Sequence, residues 1–261
     1  MILILMLVFF DNDNLLLINI FVAITSSISM TEIFNAMNVS NMSIISIPTL
    51  VFMILNSLLN NNLISELNLF LYTFIILSAM VFYRYLKLND ISVIYALAII
   101  ISFSLSKIVK LKNMDLEFGS FYVLISLGIA WYSDTGAYFF GKFFGKNKLC
   151  PKISPNKTVE GFIGGIITCL ILVIVTSLVF NNLIFAEKHK INYTSLIILS
   201  LIGSSISTLG DLCFSVIKRN YNLKDFGDII PGHGGMLDRL DSVIFVVPYV
   251  YIYLNFLSII K

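Results

Sequence analysis

Long apolar runs recur along the whole chain, broken by short polar connections. They predict membrane-spanning helices near residues 15–30, 44–59, 67–83, 91–106, 120–141, 160–181, 195–216 and 240–260, several of which extend past these limits. A further run at 2–10 falls short of the roughly 20 residues a bilayer requires, and Asp11-Asn-Asp-Asn14 interrupts it. A transmembrane barrel would instead alternate apolar and polar positions in segments of roughly ten. No soluble domain separates the runs, and no repeat with a period of roughly 20–50 residues is present. The pattern predicts an all-α fold, a polytopic integral membrane helical bundle of about eight or nine transmembrane helices. Residues 1–261 are read as one integral membrane domain: N-terminal helices over 1–118 without evident catalytic residues, and a catalytic half over 119–261.

Composition agrees. The chain is 58% hydrophobic and 12% charged, with a mean hydropathy of +0.93; an ordinary soluble domain carries about 25% charged residues. The run at 2–10 has no basic segment before it and no small-residue cleavage site after it, so it is not read as a secretory signal. Cys150, Cys169 and Cys213 are too widely spaced for a disulfide framework or a zinc site and are read as packing residues. The net charge of +2 says less than where the charges lie. With the 142–159 connection in the cytoplasm, eleven Lys/Arg fall on that side and six on the other, which orients both motif-rich loops toward the cytoplasm.

Charge concentrates between 215 and 241, and a membrane protein does not keep such a cluster between two apolar helices without a reason. In the span 195–216 and just beyond it, Ser204, Thr208, Asp211, Ser215 and Lys218 fall on one helical face. An isolated Asp inside an apolar helix costs of the order of 3 kcal/mol. A metal or an ammonium partner would offset that, and a metal is preferred for Asp211 over a structural hydrogen bond. Asp238 and Asp241 share a face at the start of the last helix, flanking Arg239. Helix-dipole capping explains one of them; the pair suits Mg²⁺ carrying phosphate oxygens. Arg239 either pairs with them or clamps a phosphate. Gly232, Gly234 and Gly235 surround His233 after Pro231, and leave backbone N–H groups open to an anion at a helix start. Lys218, Arg219, Lys224 and Asp225 stand in the same block. His233 is read as a phosphate hydrogen-bonding or loop residue rather than a proton carrier. The block reads as a nucleotide-phosphate site at a membrane surface.

A second constellation is Pro151-Lys-Ile-Ser154-Pro155-Asn156-Lys157-Thr158-Val-Glu160-Gly161. Ser154, Asn156 and Lys157 are natural phosphate contacts, Pro155 stiffens the loop, and Thr158 and Glu160 are expected to cap the next helix. Gly141, Gly145, Gly161 and Gly165 are read as close-packing positions. Upstream, Asp134 and Tyr138 share a face inside an apolar helix, where Asp134 is expected to orient a loop lysine or a water near the metal. Glu32 is assigned an interfacial or structural role, and His189 a solvated one.

The block Ser215-x-x-Lys218-Arg219 … Lys224-Asp225 … Pro231-Gly-His-Gly-Gly235 … Asp238-Arg239-Leu-Asp241 resembles the signature of the phosphatidate cytidylyltransferase (CDP-diacylglycerol synthase) family. Ser154-Pro-Asn-Lys-Thr-Val-Glu-Gly161 and Asp134-Thr-Gly-Ala-Tyr138 resemble it too, in the same order, so the likeness covers about residues 120–245. It implies CTP + phosphatidate → CDP-diacylglycerol + pyrophosphate with Mg²⁺. It also implies a bacterial-type inner-membrane location, and it accommodates a monovalent cation beside the metal and a homodimer. Lys157, Lys218, Arg219, Asp238 and Arg239 are the expected catalytic groups. Ser154, Asn156, Lys157, Ser215, Lys224, Asp225, Gly232, His233, Gly234 and Gly235 are the expected substrate contacts, and Asp211, Asp238 and Asp241 the expected metal ligands. Partners are CTP, phosphatidate and the lipid bilayer, with no nucleic acid. The rival readings are a CTP-dependent polyprenol kinase, a cytidylyltransferase for another lipid phosphate, and an anionic-lipid transporter; no internal symmetry favours the last.

Overall fold

A computed structural model describes residues 16–39, 43–59, 62–83, 87–183, 190–227 and 234–260. Among them are eight helices: α1 (Leu16–Ala36), α2 (Ser43–Leu58), α3 (Asn62–Phe82), α4 (Leu88–Asn113), α5 (Gly119–Phe144), α6 (Val159–Leu183), α7 (Tyr193–Asn220) and α8 (Leu237–Phe256). Each coincides with one of the eight expected apolar runs. The run at 2–10 lies outside the described residues. Five of the helices, α1, α3, α4, α6 and α7, are long and apolar enough to cross a membrane, which makes this a helical membrane protein. The expected count of eight or nine spans is not reached on that measure. α2 has only 16 residues, α5 carries Asp134 and Lys142, and α8 opens on Asp238, Arg239 and Asp241.

The chain packs into two compact units. One is made of Met1–Val109 with Tyr221–Leu240, the other of Lys110–Asn220 with Asp241–Lys261. In the first, α1 packs on α2 and α2 on α3. Helix α1 tolerates Thr25, Ser26, Ser29 and Thr31 because their hydroxyls donate back to the preceding turn, Ser29 to the Thr25 carbonyl at 2.8 Å and Thr25 to the Phe21 carbonyl at 2.9 Å. Asn38 ends α1 at φ +57°, with the Val39 N–H returning to the Phe34 carbonyl at 2.8 Å. This is the left-handed stop that Asn, after Gly, adopts most cheaply. Asn68 secures α3 to α2 by donating to the Phe52 carbonyl at 3.0 Å, and Phe52, Tyr72 and Tyr95 stack at centroid distances of 4.4 and 5.6 Å.

In the second unit the closest helix pair is α5 with α6, joined through small residues as expected. A Cβ on Gly161 would sit 2.7 Å from the Ala137 carbonyl oxygen, and one on Gly165 would sit 2.8 Å from that of Ser133. Only glycine lets these backbones approach so closely. Between the two helices the chain forms a two-stranded antiparallel hairpin, β1 (Lys148–Cys150) with β2 (Ser154–Thr158), where a loop was expected. Pro155 is accommodated in β2 because a two-stranded ribbon has an unpaired edge. Thr158 caps α6 as foreseen, its hydroxyl accepting the Gly161 N–H at 3.1 Å. Glu160 reaches outward as well, accepting the backbone N–H groups of Lys146 and Asn147, each at 3.1 Å. It pins the entrance of the hairpin to the start of α6.

Candidate functional site

The second unit holds a cavity of about 470 Å³ lined by α5, β2, α6 and α7. Asp134 and Tyr138 reach it from α5, Asn156 and Lys157 from the hairpin, and Thr208 and Asp211 from α7. Hairpin geometry brings Lys157 here: β2 runs straight into α6, and the α6 cap fixes where the strand ends. The Lys157 ammonium lies 2.6 Å from Asp211 Oδ2, with both side chains about a quarter exposed, and 3.5 Å from the Thr208 carbonyl oxygen. The partner that an intramembrane Asp211 requires is therefore an ammonium in this structure. Ser215, one turn along α7, donates to Asp211 Oδ1 at 3.3 Å.

Asp134 opens onto the same cavity and is held from two helices. Ser207 of α7 donates to Oδ1 at 3.3 Å, and Ser242 of α8 donates to Oδ2 at 2.8 Å. The Ser242 hydroxyl also stands 3.4 Å from Asp241 Oδ1, which accepts the Ser242 N–H at 2.8 Å. Asp241 is buried, and it lies within electrostatic reach of Asp134, Asp211 and the buried Lys218. Three carboxylates from three helices are thus interleaved with lysines and hydroxyls. Their donor chemistry, hard oxygens in a partly enclosed site, suits Mg²⁺. Among the described residues no three acidic, His or Cys side chains stand at ligand spacing.

The glycine-rich turn and the start of α8 belong to the first unit, and their partners come from within that unit. Gly234 takes φ +79°, a conformation that strains any residue with a Cβ. Asp238 Oδ2 accepts the N–H groups of Phe226 at 2.9 Å and Gly235 at 3.0 Å, closing the loop on itself. Glu32 of α1, buried at 3% exposure, accepts the Met236 N–H on Oε1 at 2.7 Å and the Leu237 N–H on Oε2 at 2.8 Å. Gly227 and Gly235 admit this carboxylate, since a Cβ on either would sit 3.0 or 2.5 Å from its atoms. The amides of Gly235, Met236 and Leu237 are therefore engaged by carboxylates of the chain itself, not left open as the glycine content alone suggests.

The expected site residues fall into both units. Asn156, Lys157 and Asp211 line the cavity, Ser215 binds Asp211, and Lys218 and Asp241 are buried within electrostatic reach of each other. Arg219 is exposed and donates from Nε to the Ile153 carbonyl at 3.3 Å, tying the end of α7 to the hairpin turn. Ser154 lies at the start of β2 opposite Cys150 and outside the cavity lining. Lys224 and Asp225 are exposed on the loop after α7, while Gly234, Gly235, Asp238 and Arg239 hold its far end. Gly232 and His233 lie outside the described residues. Sequence reasoning missed Ser207, Ser242 and the engagement of Glu32; an acid in an apolar helix is the signal that points to the last.

The model of the Cytidylyltransferase family matches residues 1–257. Curated relatives that bear the name phosphatidate cytidylyltransferase include three from different bacteria. The one from Bacillus subtilis (strain 168) is 42% identical over 170 residues, covering 65% of this chain and 60% of that protein. The one from Staphylococcus haemolyticus is 47% identical over 136 residues, 52% of this chain and 50% of that protein. The one from Haemophilus influenzae is 47% identical over 131 residues, 50% of this chain and 44% of that protein. The chain spans about half the length of the curated relatives it matches.

Proposed function

The chain belongs to the Cytidylyltransferase family, and from that premise we propose that it makes CDP-diacylglycerol and pyrophosphate from CTP and phosphatidate. The observation that carries this reading is the cavity in which Lys157, Asp211, Asp134 and Asn156 converge beside Asp241 and Lys218. Cytidylyl transfer brings two polyanions together. It needs fixed cations for the phosphates and oxygen ligands for a metal at one place, and the cavity offers both.

In this proposal a phosphatidate phosphate oxygen attacks the α-phosphorus of CTP in line, and the bond from that phosphorus to the bridging oxygen of pyrophosphate breaks. The nucleophile is already an anion, so no general base is required. Lys157 exchanges Asp211 for a phosphate oxygen as substrate enters. Its partial exposure supports such an exchange, because a partly solvated pair is held weakly. Lys218, Arg219, Lys224 and Arg239 neutralise further phosphate charge, and Ser154, Asn156, Ser215, Asp225, Gly232, His233, Gly234 and Gly235 contact substrate. Ser207 and Ser242 hold the Asp134 carboxylate, and Ser242 couples it to Asp241. Mg²⁺, when bound, would supply charge stabilisation on the triphosphate and on the leaving pyrophosphate. Asp211 and Asp241 would hold it, Asp238 remains the third acid of the signature in this role, and a monovalent cation would sit beside it.

The protein acts in this reading as a single integral membrane domain of the bacterial-type inner membrane. α2, α5 and α8 complete a set of eight or more spans, the site faces the cytoplasm, and the chain forms a homodimer. Eleven Lys/Arg on the cytoplasmic side support the orientation.

The test uses purified protein in detergent–phosphatidate mixed micelles with CTP labelled on the α-phosphate. The expected result is transfer of label to the lipid phase, with release of pyrophosphate, only when Mg²⁺ is present. Labelling from the γ-phosphate instead would replace the proposal with a lipid kinase, and silence with both labels would remove an enzymatic reading.

A further inference from the structure

Glu32 lies in the half of the chain where no catalytic residue was expected, near the C-terminal end of α1, where the helix dipole disfavours a negative charge. Burial in an apolar helix adds to that cost. Both oxygens are nevertheless committed, each to one of two consecutive backbone N–H groups at the start of α8. These are the amides that a helix leaves without internal partners. Neither Gly235 nor Met236, which precede the first helical residue, carries a side-chain oxygen, and the acceptor comes from a residue 204 positions away in sequence.

The same loop is gripped at two further points. Asp238 joins Phe226 to Gly235, and the Tyr221 hydroxyl donates to Asp90 Oδ1 of α4 at 3.1 Å. Gly227 and Gly235 are needed because Glu32 passes against them. The loop that presents Asp238 and Arg239 is therefore held by acids of the N-terminal helices through its backbone. A carboxylate that accepts two adjacent amides fixes both the position and the rotation of that helix start, which a single hydrogen bond does not.

We infer that Glu32 is the positioning residue of the proposed transfer: it sets the first turn of α8, and with it Asp238 and Arg239, without touching substrate. The inference rests on the function proposed above. Glu32→Gln is the informative variant, because it keeps the volume and one acceptor but turns an NH₂ group toward the second amide. Glu32→Ala removes both acceptors.

The experiment measures amide hydrogen exchange and steady-state transfer on the full chain in detergent. In Glu32→Gln, exchange at Met236 and Leu237 is expected to quicken by at least about tenfold, while α5 and α6 keep their protection. kcat is expected to fall about 10²-fold, with KM for CTP changed by less than about threefold. Glu32→Ala is expected to lose at least as much. If Glu32→Ala does not fold, Glu32→Gln alone decides. Unchanged exchange at 236–237, or kcat within about threefold of wild type with the local protection lost, overturns the inference. A parallel loss of protection in α5 and α6 also overturns it, because the residue would then serve global stability. A wild-type protein that transfers no label overturns the proposed function instead, and exchange quickened only at 236–237 in Glu32→Gln relative to that wild type still supports the anchoring of the loop.

Discussion

The two units handle the same difficulty, a carboxylate in an apolar helix, in opposite ways. In the second unit Asp134, Asp211 and Asp241 are met mainly by side chains: Lys157, Lys218, Ser207, Ser215 and Ser242. In the first, Glu32 and Asp238 are met by backbone amides. Side-chain partners can swing away when a phosphate or metal arrives. Backbone partners cannot move without moving the helix they begin. One arrangement is built for exchange and the other for position.

The comparison breaks most visibly at the exchangeable pair. Lys157→Ala and Asp211→Asn are each expected to cut cytidylyl transfer by about 10²–10³-fold with folding retained. The double variant should lose no more than the worse single variant, because the two act as a unit. Transfer assays on all three variants, beside thermal melts, check this; additive losses would mean the pair is not one device. At the fixed carboxylates stability and activity should fall together. Gly235→Ala sets a methyl against the Glu32 carboxylate, which two hydrogen bonds prevent from yielding, for an expected cost of about 1–3 kcal/mol and a parallel drop in kcat. Gly161→Ala meets the Ala137 carbonyl oxygen at 2.7 Å and should cost a similar ~1–3 kcal/mol. It alters the cavity wall and should raise KM for CTP more than it lowers kcat. The smallest effect is expected from Thr158→Ala, which removes the cap of α6 for about 1 kcal/mol and is read as a small downward shift of the melting midpoint.

The helices were legible because each apolar run is long enough to outlast local composition. The hairpin was not, since Lys148–Cys150 and Ser154–Thr158 are short, polar and interrupted by Pro155, and the bonds that fix their ends come from Glu160 and Thr158 at the start of α6. At the site, the spacing of Ser204, Thr208, Asp211, Ser215 and Lys218 disclosed a polar face, and the cost of a lone Asp disclosed that a partner must exist. Which partner depended on where β2 delivers Lys157, and no spacing carries that. The glycines were misjudged for a related reason. Their small size announces a close approach, but Gly227 and Gly235 admit a carboxylate from a helix nearly the length of the chain away, and sequence distance hides such a visitor. Asp134 shows the same limit, since Ser207 and Ser242 lie on two other helices.

The bonds from Glu32 to Met236 and Leu237 also set an order of events in synthesis. With acceptor and first donor 204 positions apart, and translation at about 5–20 residues per second, α1 leaves the ribosome roughly 10–40 s before its partners exist. During that interval an apolar helix carries an acid whose native amides have not been made. Assembly of the first unit is therefore completed only by the start of α8, the last of the described helices to emerge. A chain stopped short of α8 would keep Glu32 unmatched, and so display its incompleteness to whatever surveys the membrane.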